Sequence, residues 1–299
     1  MADVQKRETL FPEELIPELI NITKGESALA ALCGATPISF NGNREFIFSM
    51  DKEIDVVAES EKMGKGGITI TPVTINPVKV EYGARVSKEF MYASEKEQIE
   101  VLRAFSEGFA SKLAQGFDIM ALHGFNPRSG AGSSVIGTNH FDSKVTEAET
   151  VSALTDPDAA IEAAIAKVQG KKRQVNGLIT GTTLKAALAG LKNDLGGRLY
   201  PELAWGNKPG VINGLPMQST MSLEDETKHD HALVGDFKKA FKWGYSKKIP
   251  LDIISYGNPD NDEVQGDLKG RDQIYIRAVA YLGWGILDPD AFAWVRTTA

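Results

Sequence analysis

The stretch that decides the fold runs from Ser94 to Leu122 and reads SEKEQIEVLRAFSEGFASKLAQGFDIMAL. Its apolar side chains recur in steps of three and four, which places them on one stripe of an α-helix. They are Ile99, Leu102, Phe105, Phe109, Leu113, Phe117 and Met120. Ser94 and Glu97 have the spacing of a capping box, in which both side chains bind free amides of the first turn. No proline interrupts the stretch, so it predicts one helix about 40 Å long that crosses a whole domain.

The composition is that of an ordinary globular protein. Of the 299 residues, 42% are hydrophobic and 24% are charged, and the net charge is −7. The chain lacks the basic excess with which proteins bind nucleic-acid phosphates, so sequence-specific DNA recognition is not expected. The single cysteine, Cys33, excludes an intramolecular disulfide and is typical of a reducing compartment. No apolar run reaches the roughly 18 residues of a membrane span, and we expect a protein that folds in a cytoplasm.

Two β-rich segments precede the long helix. Glu45–Met50 is the first, and Gly67–Val86 alternates in two registers after the polar connection Asp51–Gly66. We interpret these segments as a two-stranded ribbon with a charged tip. The apolar face predicted for it comprises Phe46, Phe48, Ile68, Ile70, Val73 and Ile75. One pair of strands cannot bury such a face, so the ribbon must fold back on its own domain or lie on a neighbouring chain.

The first 36 residues form a broken segment. Short helices are predicted around Glu13–Ile22 and Glu26–Cys33, and Pro12, Pro17 and Gly25 interrupt them. Such a segment cannot form its own core. We expect an arm that lies on another part of the assembly.

Short helices and strands follow the long helix without a regular βαβ period, which predicts the α+β class. The predicted helices are Pro157–Gln169 and Thr183–Asn193. The predicted strands are Val175–Thr180, Leu233–Phe237, Ala240–Trp243, Ile249–Ser255 and Gln273–Leu287.

Several fragments resemble enzyme sites until their spacing is checked. Gly130–Val135 lacks the third glycine of a dinucleotide loop, and Gly177–Lys185 lacks the ending of a phosphate loop. No third ligand is suggested near the two imidazoles of His229–His231, so we interpret that fragment as a solvated turn. Asp260–Val264 has an apolar residue where a calcium loop needs a ligand. We therefore predict no catalytic residue, metal site or cofactor.

The order of the segments resembles that of the HK97-fold major capsid proteins of tailed bacteriophages. Four fragments of the C-terminal half are similar to landmarks of that family and occur in the same order: Leu191–Pro201, Ile212–Met217, Gly235–Phe237 and Leu287–Phe292. The resemblance implies an α+β, HK97-like fold. It also implies an N-arm at residues 1–36, an extended E-loop at 37–86, a peripheral (P) domain with its spine helix at 87–135, an axial (A) domain at 136–231, a return to the P-domain sheet at 232–285 and an A-domain C-terminal segment at 286–299.

The resemblance further implies a function in self-assembly. Hexamers and pentamers of the chain would form an icosahedral shell around double-stranded viral DNA, assembled in the bacterial host cytoplasm and located in the virion. The implied partners are identical subunits, scaffolding and portal proteins and non-specifically packaged DNA, with no membrane. Because the E-loop of this family lies across the adjacent subunit, contacts between subunits are implied for Phe46, Phe48, Lys62, Lys65, Ile68, Ile70, Val73 and Ile75.

Two departures from the family carry further expectations. Some members join E-loop lysines to asparagines of a neighbour, but no asparagine follows Asn261, so we expect a noncovalent shell. The chain has no long, charge-rich helical N-terminal extension, so we expect a separate scaffolding protein or an arm that suffices. Two alternatives remain at this point: an encapsulin-type nanocompartment, or a soluble α+β enzyme with His140 or His229 in an unrecognised site.

Overall fold

The computed structural model describes residues 26–50, 52, 54, 56–62, 64–208, 210–224, 229–246 and 251–298. The predicted helix around Glu13–Ile22 lies outside these ranges. The helices are α1 (Ala28–Leu32), α2 (Glu95–His123), α3 (Phe141–Lys144), α4 (Pro157–Gly170) and α5 (Thr182–Gly190). The strands are β1 (Asn43–Met50), β2 (Ile68–Ile75), β3 (Pro77–Ser87), β4 (Ala148–Val151), β5 (Gly177–Thr180), β6 (Val211–Ile212), β7 (Leu215–Ser219), β8 (Asp230–Gly235), β9 (Phe241–Tyr245), β10 (Leu251–Ile254), β11 (Gln273–Ile286) and β12 (Phe292–Thr297).

Helix α2 confirms the long helix predicted from the sequence. Its capping box is formed, because Ser94 Oγ accepts from the Glu97 amide at 3.4 Å and the Glu97 carboxylate accepts from the Ser94 amide at 3.0 Å. Gly124 ends the helix in the left-handed conformation with φ 72°. Most of the apolar stripe is buried, and Phe105 is half-buried; the buried members are Leu102, Phe109, Leu113, Phe117 and Met120. The helix is therefore the support on which the sheets pack.

A four-stranded sheet packs against α2 and forms the first core. Strand β11 is its centre and pairs antiparallel with β3, β9 and β10. The Phe117 ring of α2 lies 5.3 Å from the Trp243 ring and 5.8 Å from the Trp284 ring, measured between centroids. Aromatic contacts of this kind dominate core energetics because each ring buries a large apolar area.

A six-stranded sheet forms the second core. Its strand order is β4-β12-β8-β5-β7-β6. Helices α4 and α5 cover it with small and branched side chains that meet the buried residues of the strands; these are Ala164, Val168, Leu184, Leu188, Met217, Val234 and Val295. Strand β8 pairs on both sides, with β5 and with β12, and therefore lies in the middle of this sheet.

The sheet pairing corrects two of the predicted segment limits. Strand β3 does not continue the ribbon, because it pairs with β11 along its whole length, so the predicted E-loop at 37–86 extends too far. Pro77 lacks an amide donor, and Ile75 is buried beside Gly285, so the ribbon ladder ends there. The predicted return to the first sheet at residue 232 is also too early. The chain changes sheets between Gly235 and Phe241, because β8 belongs to the six-stranded sheet.

Candidate assembly interface

Strands β1 and β2 form a two-stranded sheet that presents one apolar face to solvent. Directly opposite residues share a face, and the pairs are Phe46 with Pro72, Phe48 with Ile70 and Met50 with Ile68. The large apolar side chains of this outer ribbon face have exposed fractions between 52% and 74%; they are Phe46, Phe48, Met50, Ile68 and Ile70. Contiguous exposed apolar side chains of this kind mark interaction surfaces.

The other face of the ribbon is turned to the body of the same chain. Ile75 is only 1% exposed, and a Cβ added at Gly285 would lie 2.7 Å from its Cγ1 atom. Glu45 also lies on this face, with its carboxylate 2.9 Å from Lys242 Nζ of β9. Because side chains alternate along a strand, Val73 and Ile75 cannot share a face with Ile70. The prediction of one apolar face containing all six residues is therefore wrong for these two, and Ile75 is covered by its own chain.

The tip of the ribbon carries the remaining predicted contact residues. Lys62 and Lys65 are exposed, as are Ile54 and Val56 in the same connection. Their contact with a neighbouring subunit stays a prediction. The tip and the outer ribbon face nevertheless belong to one continuous excursion of the chain.

A buried cluster of charged side chains joins five segments around the end of α2. His123 Nδ1 lies 2.8 Å from Asp142 Oδ2, and His123 Nε2 lies 3.0 Å from the carbonyl oxygen of Ser222. Both partners are acceptors, so both ring nitrogens donate and the charged imidazolium fits the site. Arg296 binds the carboxylates of Asp230 and Asp142. Two cations and two carboxylates thus balance each other, and of the four side chains Arg296 alone stays partly exposed.

The pKa values in this cluster follow from its geometry. Burial opposes the charged form of His123, but the hydrogen bond and the charge of Asp142 raise the pKa of His123 above its ordinary value. Burial raises the pKa of Asp230 to about 6, although the hydrogen bond from Arg296 lowers it.

The interpretation of His229–His231 as a solvated turn is wrong for its central residue. Asp230 is fully buried because β8 lies in the interior of the sheet.

The imidazole of His123 and the carboxylates of Asp142 and Asp230 each bring one possible ligand atom within 4.8 Å of the other two. Metal ligands have the same separation. The imidazole nitrogens already donate to acceptors, and the Arg296 guanidinium lies beside both carboxylates. A metal ion would have to displace these contacts. The arrangement is that of a structural ion network.

A second buried carboxylate fastens the start of the described chain to α2. Asp118 accepts hydrogen bonds from Ser27 Oγ at 2.6 Å, from the Ala28 amide at 2.9 Å and from the Leu29 amide at 3.3 Å. Burial raises the pKa of Asp118 to about 6, although these hydrogen bonds lower it. The first turn of α1 is thus capped from a residue about ninety positions away in the sequence.

The acidic loop before β11 is organised around one arginine of β3. Arg85 Nη2 donates to Asp260 Oδ1 at 2.5 Å, to Asn258 Oδ1 at 2.7 Å and to the Gly266 carbonyl at 2.9 Å. The hydrogen bond from Arg85 lowers the pKa of Asp260 to about 2. Asp262 Oδ1 accepts from the Val264 amide at 2.9 Å. These carboxylates fold the loop.

Comparison with known proteins identifies the fold. The sequence profile of the phage capsid family matches residues 8–296. The chain belongs to the phage capsid family. Its structure is similar to one from Mycobacterium phage Ogopogo, with 31% identity, a TM-score of 0.74 and coverage of 91% of this chain and 92% of that chain. No curated protein sequence matches this capsid protein.

More distant structures share the fold of the capsid protein. One from Gordonia phage Cozz has 22% identity and a TM-score of 0.74, and the match covers 91% of this chain and 86% of that chain. The capsid of an empty GTA particle has 13% identity and a TM-score of 0.66, with coverage of 92% and 90%. The prediction of an α+β, HK97-type capsid fold is confirmed. This is a structural protein of a bacteriophage shell, and its location is the virion.

Some exposed residues of the capsid protein were not predicted from the sequence. Trp205 is 98% exposed and adopts the left-handed conformation with φ 59°, and Leu195 and Met221 are also exposed. Each stands beside small or polar residues rather than in an apolar run, so the periodic patterns used for helices and strands did not select them. Among the described residues, no helix combines the length and the apolar character needed to cross a membrane.

Proposed function

We propose that this capsid protein assembles as hexamers and pentamers into an icosahedral shell that encloses double-stranded viral DNA. The outer ribbon face is the observation that supports this proposal most strongly. Fully burying one large apolar side chain stabilises a contact by about 1.5–3 kcal/mol, so covering this face stabilises each contact by several kcal/mol. In a closed shell every subunit gives one such face to a neighbour and receives another. Modest contacts, repeated around the shell, then make it stable.

The proposed contents follow from the charge of the chain. A net charge of −7 gives the inner wall little general affinity for phosphates, which suits DNA that is packed by force and later released. Scaffolding and portal proteins would act in assembly within the bacterial host cytoplasm. The function is geometric and not enzymatic. We also propose that the A-domain, P-domain, arm and E-loop divisions apply to this chain, with the two corrected limits.

Deleting the connection Asp51–Gly66 tests the proposal. None of the described residues of the ribbon tip belongs to either core, so the shortened subunit should fold with an unchanged circular dichroism spectrum. It should form no shells in electron micrographs or in sedimentation. The variant Glu59→Ala is the control, since it keeps the length of the ribbon, changes an exposed tip residue for which no subunit contact is predicted, and should still assemble. Intact particles from the deletion would contradict the proposal.

The contents of wild-type particles provide a second test. Particles treated with nuclease should protect double-stranded DNA when produced during infection, whereas an encapsulin-type compartment would protect a cargo protein instead. On a denaturing gel, mature particles should run as single subunits because the shell is proposed to be noncovalent. A ladder of linked subunits would show that lysines such as Lys62 or Lys65 form bonds between chains.

A further inference from the structure

A groove of 1290 Å³ lies between the C-terminal half of α2 and helix α5. The α2 wall consists of Gln115, Ile119 and His123, and the α5 wall of Thr182, Lys185, Ala186, Ala189 and Gly190. Trp205 and Met221 stand at its rim and are almost fully exposed. The groove is therefore partly apolar and open to an occupant.

Basic side chains give one side of the groove a positive charge. Lys185, Arg198 and Lys208 all line it. Lys185 Nζ donates to the Gly206 carbonyl at 3.3 Å, and Arg198 donates to the Ala189 carbonyl at 3.3 Å, so both bind neutral acceptors. Burial and the nearby charge of Lys208 lower the pKa of Lys185. An anionic group in the groove would relieve this repulsion.

The carboxylate of Glu224 on the groove wall is already committed to α5. It accepts from Thr182 Oγ1 at 2.9 Å and from the Thr183 amide at 2.5 Å, at the N-terminus of the helix. Glu26 is the other acidic residue of the lining. The lining thus keeps an excess of cations for an acidic occupant.

The described part of the chain begins at the edge of this groove. Glu26 lines it, and the neighbouring Ser27 is fixed by its hydrogen bond to Asp118 on α2. The 25 residues that precede Glu26 must therefore start from the edge of the groove. Their sequence is apolar and acidic in alternation, with Leu10, Phe11, Leu15, Ile16, Leu19, Ile20 and Ile22 among Glu13, Glu14 and Glu18.

We propose that residues 10–22 of the same chain dock in this groove, with apolar side chains toward α2 and α5 and carboxylates toward Lys185, Arg198 and Lys208. Ile22 lies within about 14 Å of Glu26 along an extended chain, which is a sufficient reach. The docked arm would cover the junction between the two cores. This inference does not depend on shell formation.

Disulfide trapping in the full chain tests the proposal. In a background with Cys33→Ala, Leu15→Cys is combined with Ala186→Cys or with Gln115→Cys, both at exposed groove positions. The ribbon substitutions Phe48→Asp and Ile70→Asp are added so that subunits stay unassembled. Oxidation should give a reducible link within single chains, seen as a mobility shift at monomer mass and located by mass spectrometry. Failure of this result leaves the proposed shell function intact, since assembly is measured separately.

The control pairs Leu15→Cys with Glu107→Cys on the solvent face of α2, about 12 Å N-terminal to Gln115. The groove pair should link at least fivefold faster than this control. Links between different chains would overturn the proposal, because they would place a neighbour's arm in the groove. Equal rates for groove and control positions would also overturn it.

Charge reversal adds a test of the polar contacts. Lys185→Glu with Lys208→Glu should lower the yield of the groove disulfide by about fivefold or more, since one such repulsive contact changes a population by that order. Adding Glu14→Lys and Glu18→Lys should restore the yield. Thermal melts check that all variants remain folded. If neither pair of substitutions changed the yield of the groove disulfide, the proposal would lose its electrostatic basis.

Discussion

Two antiparallel strand pairs of this capsid protein have the same alternating pattern and opposite surroundings. In the pair of β3 and β11, Val80 lies opposite Ala280 and Val86 opposite Ile274, and helix α2 packs on the sheet. In the pair of β1 and β2, Phe48 lies opposite Ile70, and both side chains are exposed. Alternation along a strand thus shows which face needs a cover. It does not show which chain supplies the cover.

The largest effect should come from placing charges on the outer ribbon face. Phe48→Asp with Ile70→Asp puts two like charges directly opposite each other on a face that would be buried between subunits. Shells should be absent in electron micrographs and sedimentation should show only small species. The subunit should stay folded, with at most a small drop in melting temperature from the repulsion across the ribbon, because both positions are exposed in the isolated chain.

Thr71→Asp is the matched control for this test. Thr71 lies on the same strand but opposite Ile47, on the other face of the ribbon. Its variant should still assemble. If the outer-face double variant also forms normal shells, the contrast between the two strand pairs has no functional meaning.

The next test compares truncation in the body with truncation on the ribbon. Trp243 is fully buried, contacts Phe117 and donates from Nε1 to the Cys33 carbonyl at 2.8 Å. Trp243→Ala should lower the free energy of unfolding by about 3–5 kcal/mol, because it removes a large core side chain and leaves a cavity. Phe48→Ala should change it by less than about 0.5 kcal/mol and weaken assembly instead. Urea denaturation of unassembled subunits measures both.

Equal losses of stability for Trp243→Ala and Phe48→Ala would contradict the assignment of Phe48 to an intersubunit surface. That result would mean that the ribbon is packed on its own body in solution. A large loss for Trp243→Ala alone would sharpen the contrast, since the two aromatic side chains differ mainly in which chain covers them.

The sequence predicted the features that local interactions determine. The capping residues Ser94 and Glu97 and the stripe of α2 lie within a few turns of one another, so spacing alone identifies them. The α+β class and the existence of a ribbon also followed from periodicity. The assignment of Val73 to the wrong face was avoidable, because Val73 is three positions after Ile70 and side chains an odd number of positions apart point to opposite faces of a strand.

Long-range partners could not be predicted in the same way. The pairing of β3 with β11 depends on residues nearly two hundred positions apart, and one β-rich run before the helix gives no sign of it. The buried cluster of His123, Asp142, Asp230 and Arg296 is assembled from distant segments. A lone Asp between two histidines carries no local signal of burial. Only the sheet order places it in the interior.

A third test concerns the buried charges of the body. Asp142 keeps the pKa of His123 above its unfolded value of 6.5, despite the opposing effect of burial. The folded state therefore binds this proton more tightly, and the resulting stability is fully present below pH 6.5 and is lost as the pH rises through the folded pKa. In the unassembled ribbon variant, urea denaturation should show a falling free energy of unfolding from pH 6.5 to 9. His123→Gln should flatten that fall and cost about 1–3 kcal/mol at pH 6, because it leaves a buried partner unpaired.

His231→Gln serves as the control with the opposite sign. Burial lowers the pKa of His231, which lies near Thr297 at 3.0 Å, so its contribution is lost as the pH falls below its unfolded pKa. The decline above pH 7 should persist in this variant. An unchanged decline in His123→Gln would show that other groups cause it.

The smallest effect is expected where the two regions meet, at the ion pair between Glu45 of the ribbon and Lys242 of the body. The two side chains are partly exposed and lie 2.9 Å apart, so solvent screens their attraction. Glu45→Gln should lower the free energy of unfolding by less than about 1 kcal/mol, and 1 M salt should remove the difference from wild type. A double-mutant cycle with Lys242→Gln isolates the pairwise energy. Shells should still form, because Ile75 anchors the base of the ribbon in the core independently of the charges. If Glu45→Gln abolished assembly while the subunit stayed folded, the angle of the ribbon would depend on this ion pair. Apolar packing at the base of the ribbon would then not be enough to hold the ribbon on the body.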